Sequence, residues 1–169
     1  MSFEVIRQFK ATLSNLDALL DKAQAYAEAH KFSVDNFMTE RLAPDMLPFA
    51  VQVRIACDMA KGTAATLAGV EAPRHADDET TVADLRGRIG KCVAYLETFK
   101  AEDFAGKAPE RVVKVTYPPG KGMYASEYLY ARQIPNFFFH VTTAYALLRR
   151  GGVPIGKGDY LGALTILDL

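Results

Sequence analysis

Few side chains in this 169-residue sequence are placed to do chemistry, and His140 stands first among them. It lies in IPNFFFHVTTAYALLRR, residues 134–150, sharing a helical face with Phe137, Ala144 and Leu147 at steps of three and four. An ionisable ring on that face enters an apolar interior and needs a partner. Neutral imidazole is a good ligand for divalent first-row metals, and helix bundles converge such groups from facing helices. The companions available are Asn136 one turn earlier, Asp58 on a second amphipathic segment, and Tyr145. They fall short of a firm metal cage. Asparagine is a poor zinc ligand, Ala144 occupies the next place in the row, and a tight site takes three ligands of His, Asp, Glu or Cys type. The residues favour a hydrogen-bonded core histidine, held by Asp58, Tyr145 or a backbone carbonyl, over a metal ligand. Asp58 also has a plainer reading, an ion pair at the surface with Arg54 one turn before it.

Other reactive groups carry less. His30 follows a helix end, where positive charge is favoured by the macrodipole, and His75 falls in the polar run EAPRHADDETT, so both read as solvated. Cys57 and Cys92 lack CxxC spacing and sit on apolar stripes, which marks them as buried free thiols. GGVPIGKG, residues 151–158, imitates the frame of a phosphate-binding loop. It follows a helix instead of a strand, however, and Gly158 replaces the hydroxyl residue that holds magnesium. No strand-flanked GxGxxG appears, and no Ser, His and acid spacing singles out a nucleophile.

Four amphipathic segments must position these groups. Ile6, Phe9, Leu13, Leu16, Leu20, Ala23 and Ala27 define a first helix from Ser2 to Ala29. After a connection over 31–45 with apolar Phe37, Met38 and Leu42, Pro44 is expected to open a second helix. Its stripe is Met46, Ala50, Val53, Cys57, Ala60, Ala64 and Leu67, closed by Gly69. Thr80 or Thr81 caps a third helix bearing Val82, Leu85, Ile89, Cys92, Leu96 and Phe99, in which Gly87 and Gly90 suggest close packing. The period then changes to two. Val113, Val115 and Tyr117 alternate with polar residues before Pro118-Pro119-Gly120, the pattern of a small hairpin. Residues 126–133 read as a helical lead-in to the last helix, which opens with Pro135 and ends at Gly151-Gly152.

Composition narrows the function classes. Lys plus Arg and Asp plus Glu are each 20, so no basic face is implied, which argues against nucleic acid and anionic membrane as partners, while near-neutral charge favours self-association. One domain over 1–169 is the default at this length, and half the residues are hydrophobic. No apolar run approaches the roughly 20 residues of a membrane span, and the charged N-terminus is unlike a signal peptide, so a cytoplasmic protein is expected.

RLAPDMLPFAVQVRIACDMAKG, PNFFFHVTTAYALLRRGGVPIGK and DYLG resemble an uncharacterised bacterial family of unknown function within the DinB/YfiT-like superfamily of metalloenzymes. The resemblance spans nearly the whole chain. It implies an all-α four-helix bundle of up-down-down-up topology with a long crossover, often dimeric. In many members it also implies a nickel or zinc site of one histidine on the second helix and two on the last, serving thiol-dependent transferases or hydrolase-like enzymes. Only His140 falls where such a ligand belongs; Asn136 and Ala144 stand one turn to either side, and the second helix offers Ile55 and Asp58. The expectation is a bundle whose inter-helix crevice, lined by His140, Asn136, Asp58 and Tyr145, binds a small molecule or a weakly held metal. The alternative is a non-enzymatic bundle for dimerisation or partner contact with a structural histidine.

Overall fold

The computed structural model describes residues 2–115 and 117–168. Four long helices form the frame: α1 (Ser2–Ala29), α2 (Phe49–Ala68), α3 (Val82–Glu97) and α5 (Ile134–Arg150). A 3-10 segment, Val34–Thr39, follows α1; the hairpin strands β1 (Val112–Lys114) and β2 (Gly122–Tyr124) precede a short α4 (Ala125–Glu127); and α6 (Lys157–Leu161) follows α5. The predicted stripes are the core: Phe9, Leu13, Leu16, Val53, Cys57, Leu85, Cys92, Phe137 and Leu148 are all fully buried. Phe9 stacks on Phe137 with ring centroids 4.1 Å apart, joining α1 to α5. Such a pair adds about 1 kcal/mol beyond its buried area.

Side-chain pairings fix the helix directions. Asp17 and Asp21 hold Arg86 at 2.9 and 2.7 Å while Lys10 meets Glu97 at 3.3 Å, so α1 and α3 run antiparallel. Arg54 reaches Glu79 just ahead of α3, and the Cys92 thiol donates to the Cys57 carbonyl at 3.3 Å; α2 and α3 therefore run parallel, joined by the crossover 69–81. Gln52 meets His140 and Met59 meets Asn136, which sets α2 antiparallel to α5. The order is up, down, down, up.

Local chemistry explains the helix ends. Gly69 adopts φ 74° and its amide caps the α2 carbonyls of Ala65 and Thr66, as expected of a terminal glycine. Thr81, not Thr80, caps α3, and it does so in a reciprocal box with Asp84. The first turn of α3 is tied further by Asp35, whose carboxylate accepts from the Val82 amide at 2.8 Å.

Three expectations are corrected. α2 begins at Phe49, not Pro44, because Pro48 forces the preceding residue out of the helical region; Pro48 itself is the N-cap. Gly87 and Gly90 are exposed, and a Cβ at either would meet nothing within 4 Å, so neither marks close packing. In the hairpin, Val112 pairs with Tyr124 and Lys114 with Gly122. Val113 and Val115 point inward, but Tyr117 lies in the exposed turn, and Thr116 lies outside the described residues.

The lead-in to α5 is helical with a widened stretch. Tyr128–Gln133 is a π-helical turn in which the Ile134 amide reaches back five residues to the Leu129 carbonyl. Pro135 supplies the reason: its ring crowds the carbonyl four residues back and it has no amide hydrogen to offer.

Candidate functional site

His140 is 7% exposed and faces α2, where its Nδ1 lies 2.7 Å from the Gln52 side-chain oxygen. The Gln52 amide nitrogen donates to the Leu47 carbonyl at 2.9 Å, and a carbonyl can only accept, so the Gln52 oxygen must face the ring. Nδ1 therefore carries the proton and Nε2 keeps its lone pair. Nε2 has no hydrogen-bond partner among the described residues, nor is it among the polar atoms sealed from solvent. Burial holds the His140 pKa below its ordinary value, so the ring is neutral at physiological pH. The partner is neither Asp58 nor Tyr145 nor a backbone carbonyl, as the sequence led us to expect, but the Gln52 amide.

Asn136 does share the α2-facing side of α5, and its amide nitrogen lies 3.1 Å from the Met59 sulfur. Tyr145 does not join them. Its hydroxyl reaches the Ile155 carbonyl at 3.5 Å and its ring packs edge-on against Tyr160, five positions and more than a third of a turn away from the His140 direction.

Asp58 faces α3 instead. It accepts from Arg88 at 2.8 Å and pairs with Lys61 at 3.0 Å, and the expected Arg54 partnership is absent; Arg54 pairs with Glu79 at 2.7 Å. Arg88, 2% exposed, also meets Glu79 at 2.8 Å and Asp77 at 3.0 Å. Three cations thus balance three carboxylates at the α2–α3 boundary. Burial opposes charge on both Arg88 and Glu79, yet their mutual hydrogen bond and neighbouring opposite charges raise the arginine pKa and lower that of the carboxyl. The Cys57 thiol beside this network is pushed well up by its contact with Cys92 and by burial, and both cysteines are free and buried.

Sequence reasoning missed Gln52 and Arg88, although the signals were present. Arg88 stands three residues after Leu85 and four before Cys92, on the core row of α3, and Gln52 stands three after Phe49 and four before Ala56 on that of α2. A polar residue in such a row needs a buried partner.

The donors around His140 are an amide, a second amide and a thioether. Among the described residues no group of three or more His, Cys, Asp or Glu side chains converges anywhere in the fold. That set does not fit nickel or zinc. The P-loop-like run is equally occupied by protein: the Gly156 amide donates to Asp159 at 2.8 Å, and Asp159 is held by Lys22 at 2.6 Å. Among the described residues no helix is long and apolar enough to cross a membrane.

No curated protein matches this chain. A crystal structure described as a DinB family member protein from Shewanella denitrificans is 43% identical, with a TM-score of 0.91, covering 97% of this chain and 93% of that one. The two backbones superpose over nearly the whole length of both chains. The domain of unknown function DUF1993 matches residues 3–161, and the chain therefore belongs to that uncharacterised, DinB-like family.

Proposed function

We propose that this protein is a small-molecule-binding bundle in which His140 serves as a neutral hydrogen-bond acceptor between α2 and α5. The observation that carries the reading is the locked tautomer: Gln52 fixes the proton on Nδ1 and leaves the Nε2 lone pair without a protein donor. Asn136, one turn away, supplies a second polar contact, and Met59 an adaptable apolar one. The ligand best suited to this pair carries an N–H or O–H donor on a small, mostly apolar body.

The test is a fragment titration followed through the imidazole nitrogen signals of the full chain. Hydroxyl- or amide-bearing fragments are expected to shift His140 Nε2 saturably in the wild type and to lose affinity in Asn136→Ala. A ring that no fragment perturbs would overturn the reading. Elemental analysis of untagged protein separates it from a weakly held metal, since metal at one equivalent that disappears in His140→Ala would show the donor set to be misjudged.

A second reading has its own support. Phe139, 54% exposed beside His140, and Leu47, 45% exposed beside Gln52, leave an apolar lip at the Gln52–His140 contact on a chain of zero formal charge. A second copy of the chain would cover that lip, leaving His140 a purely structural residue. Sedimentation of the wild type and of Phe139→Ser tests this: a dimer that dissociates in the variant supports it, and a monomeric wild type removes it.

A further inference from the structure

On the opposite side of α2, the crossover residues 74–80 and the first turns of α3 enclose a cleft of about 630 Å³. Arg88 and His75 line it. Both Arg88 terminal nitrogens are engaged by protein acceptors, including the Ala76 carbonyl at 2.9 Å, but its Nε is sealed from solvent with no hydrogen-bond partner. His75 Nδ1 is sealed and unpartnered as well, so the half-buried ring is not the solvated loop residue that the sequence suggested. Two buried nitrogens beside one cleft are thus left incompletely paired by protein groups.

The charges around the cleft are unequally occupied. Glu79 is held by Arg54 and Arg88, and Asp84 accepts from the Thr80 and Thr81 amides at 3.0 and 2.9 Å. Arg74 and Lys91, both lining the cleft and exposed, form no ion pair among the described residues; of the lining carboxylates, Asp84 has only its threonine partners and Asp78 no ion pair among those residues. From these residues we infer that the cleft is a binding site for a compact oxyanion, the phosphate or carboxylate group of a small ligand, held between Arg74 and Lys91 with His75 at its base. This site is separate from the His140 site and does not depend on it.

The field at the ring agrees with that assignment. Burial first, then Lys61 of α2 and Arg88 and Lys91 of α3, hold His75 below its ordinary pKa, with Asp58 alone among the named charges opposing them. Arg74, Asp78 and Glu79 face the cleft from the crossover and Asp84 from α3. An anion entering this positive field relieves the repulsion and raises the affinity of His75 for a proton.

The test is a titration of the full chain with inorganic phosphate and, separately, with succinate, at constant ionic strength, read through the His75 ring signals. Saturable shifts confined to the cleft are expected, with the His75 pKa rising on binding; the tighter of the two probes tells phosphate from carboxylate. Lys91→Gln and Arg74→Gln, at exposed positions without ion pairs, should leave unfolding unchanged and weaken binding about tenfold each, the scale of one charge-assisted hydrogen bond. Shifts that spread over surface lysines, or affinity unaltered in both variants, would overturn the site. So would a His75 ring that neither anion moves.

Discussion

α2 buries polar groups on two faces by different means. Toward α5 it offers one amide, Gln52, to one neutral imidazole, and no charge is taken from water. Toward α3 it offers Arg54, Asp58 and Lys61 to a network that closes on Arg88, and two nitrogens beside that network lack partners. A neutral pair is cheap to bury and can be replaced by apolar groups of like shape at little cost, whereas a buried charge network tolerates no missing member. The difference separates a contact that fixes one ring from a structure that organises a whole loop.

The sharpest way to break this comparison is Arg88→Met. It leaves Asp58, Asp77 and Glu79 without their shared cation; since Asp58 and Asp77 reach solvent, the loss should lie near the low end for a broken buried pair, about 3 kcal/mol in urea unfolding. Gln52→Leu comes next, at about 2 kcal/mol, because it strands the His140 Nδ1 proton. Adding His140→Phe to Gln52→Leu should recover part of that loss. If the double variant is as unstable as the sum of its parts, the two side chains are not a self-contained pair.

Acid should act on the histidines first and on the carboxylates later. The His140 pKa is lowered by folding, so its contribution is present above the ordinary histidine value of 6.5 and is lost as pH falls from there through the folded value. Glu79 is also lowered, from 4.5, so its contribution survives until the carboxylate range is reached. Stability against pH should therefore decline in two stages, the upper one shared with His75, whose pKa is lowered as well, and reduced in part in His140→Phe. The smallest expected effect is a gain: Gly87→Ala places a methyl group in open space on α3 and should stabilise by about 0.5–1 kcal/mol.

α1 was readable because its apolar row repeats without interruption; it runs over the residues its stripe defines, and every stripe residue is buried. The start of α2 was not, since Pro44 and Pro48 are both acceptable helix openers and only the second is followed by continuous helical backbone. The candidate site was half legible. That Asn136 and His140 share one face of α5 followed from their spacing. Its partner did not, because a sequence read for charged or metal-binding companions passes over a glutamine in a core row. Asp58 was assigned to its neighbour in sequence, Arg54, whereas the crossover brings Arg88 and Glu79 across 30 and 25 positions to claim the two of them. Local spacing carries no trace of such returns.

The widened turn at Tyr128–Gln133 gives the chain slack at one defined place. A π turn holds one residue more than an α turn, so a single deletion there can be absorbed by reversion to regular winding, and the lead-in and α5 would each keep their own register. The same deletion within α5 would swing every later side chain by about 100° and turn His140 or its neighbours away from α2. Length variation between related chains is thus expected to collect ahead of Pro135 and to stop there.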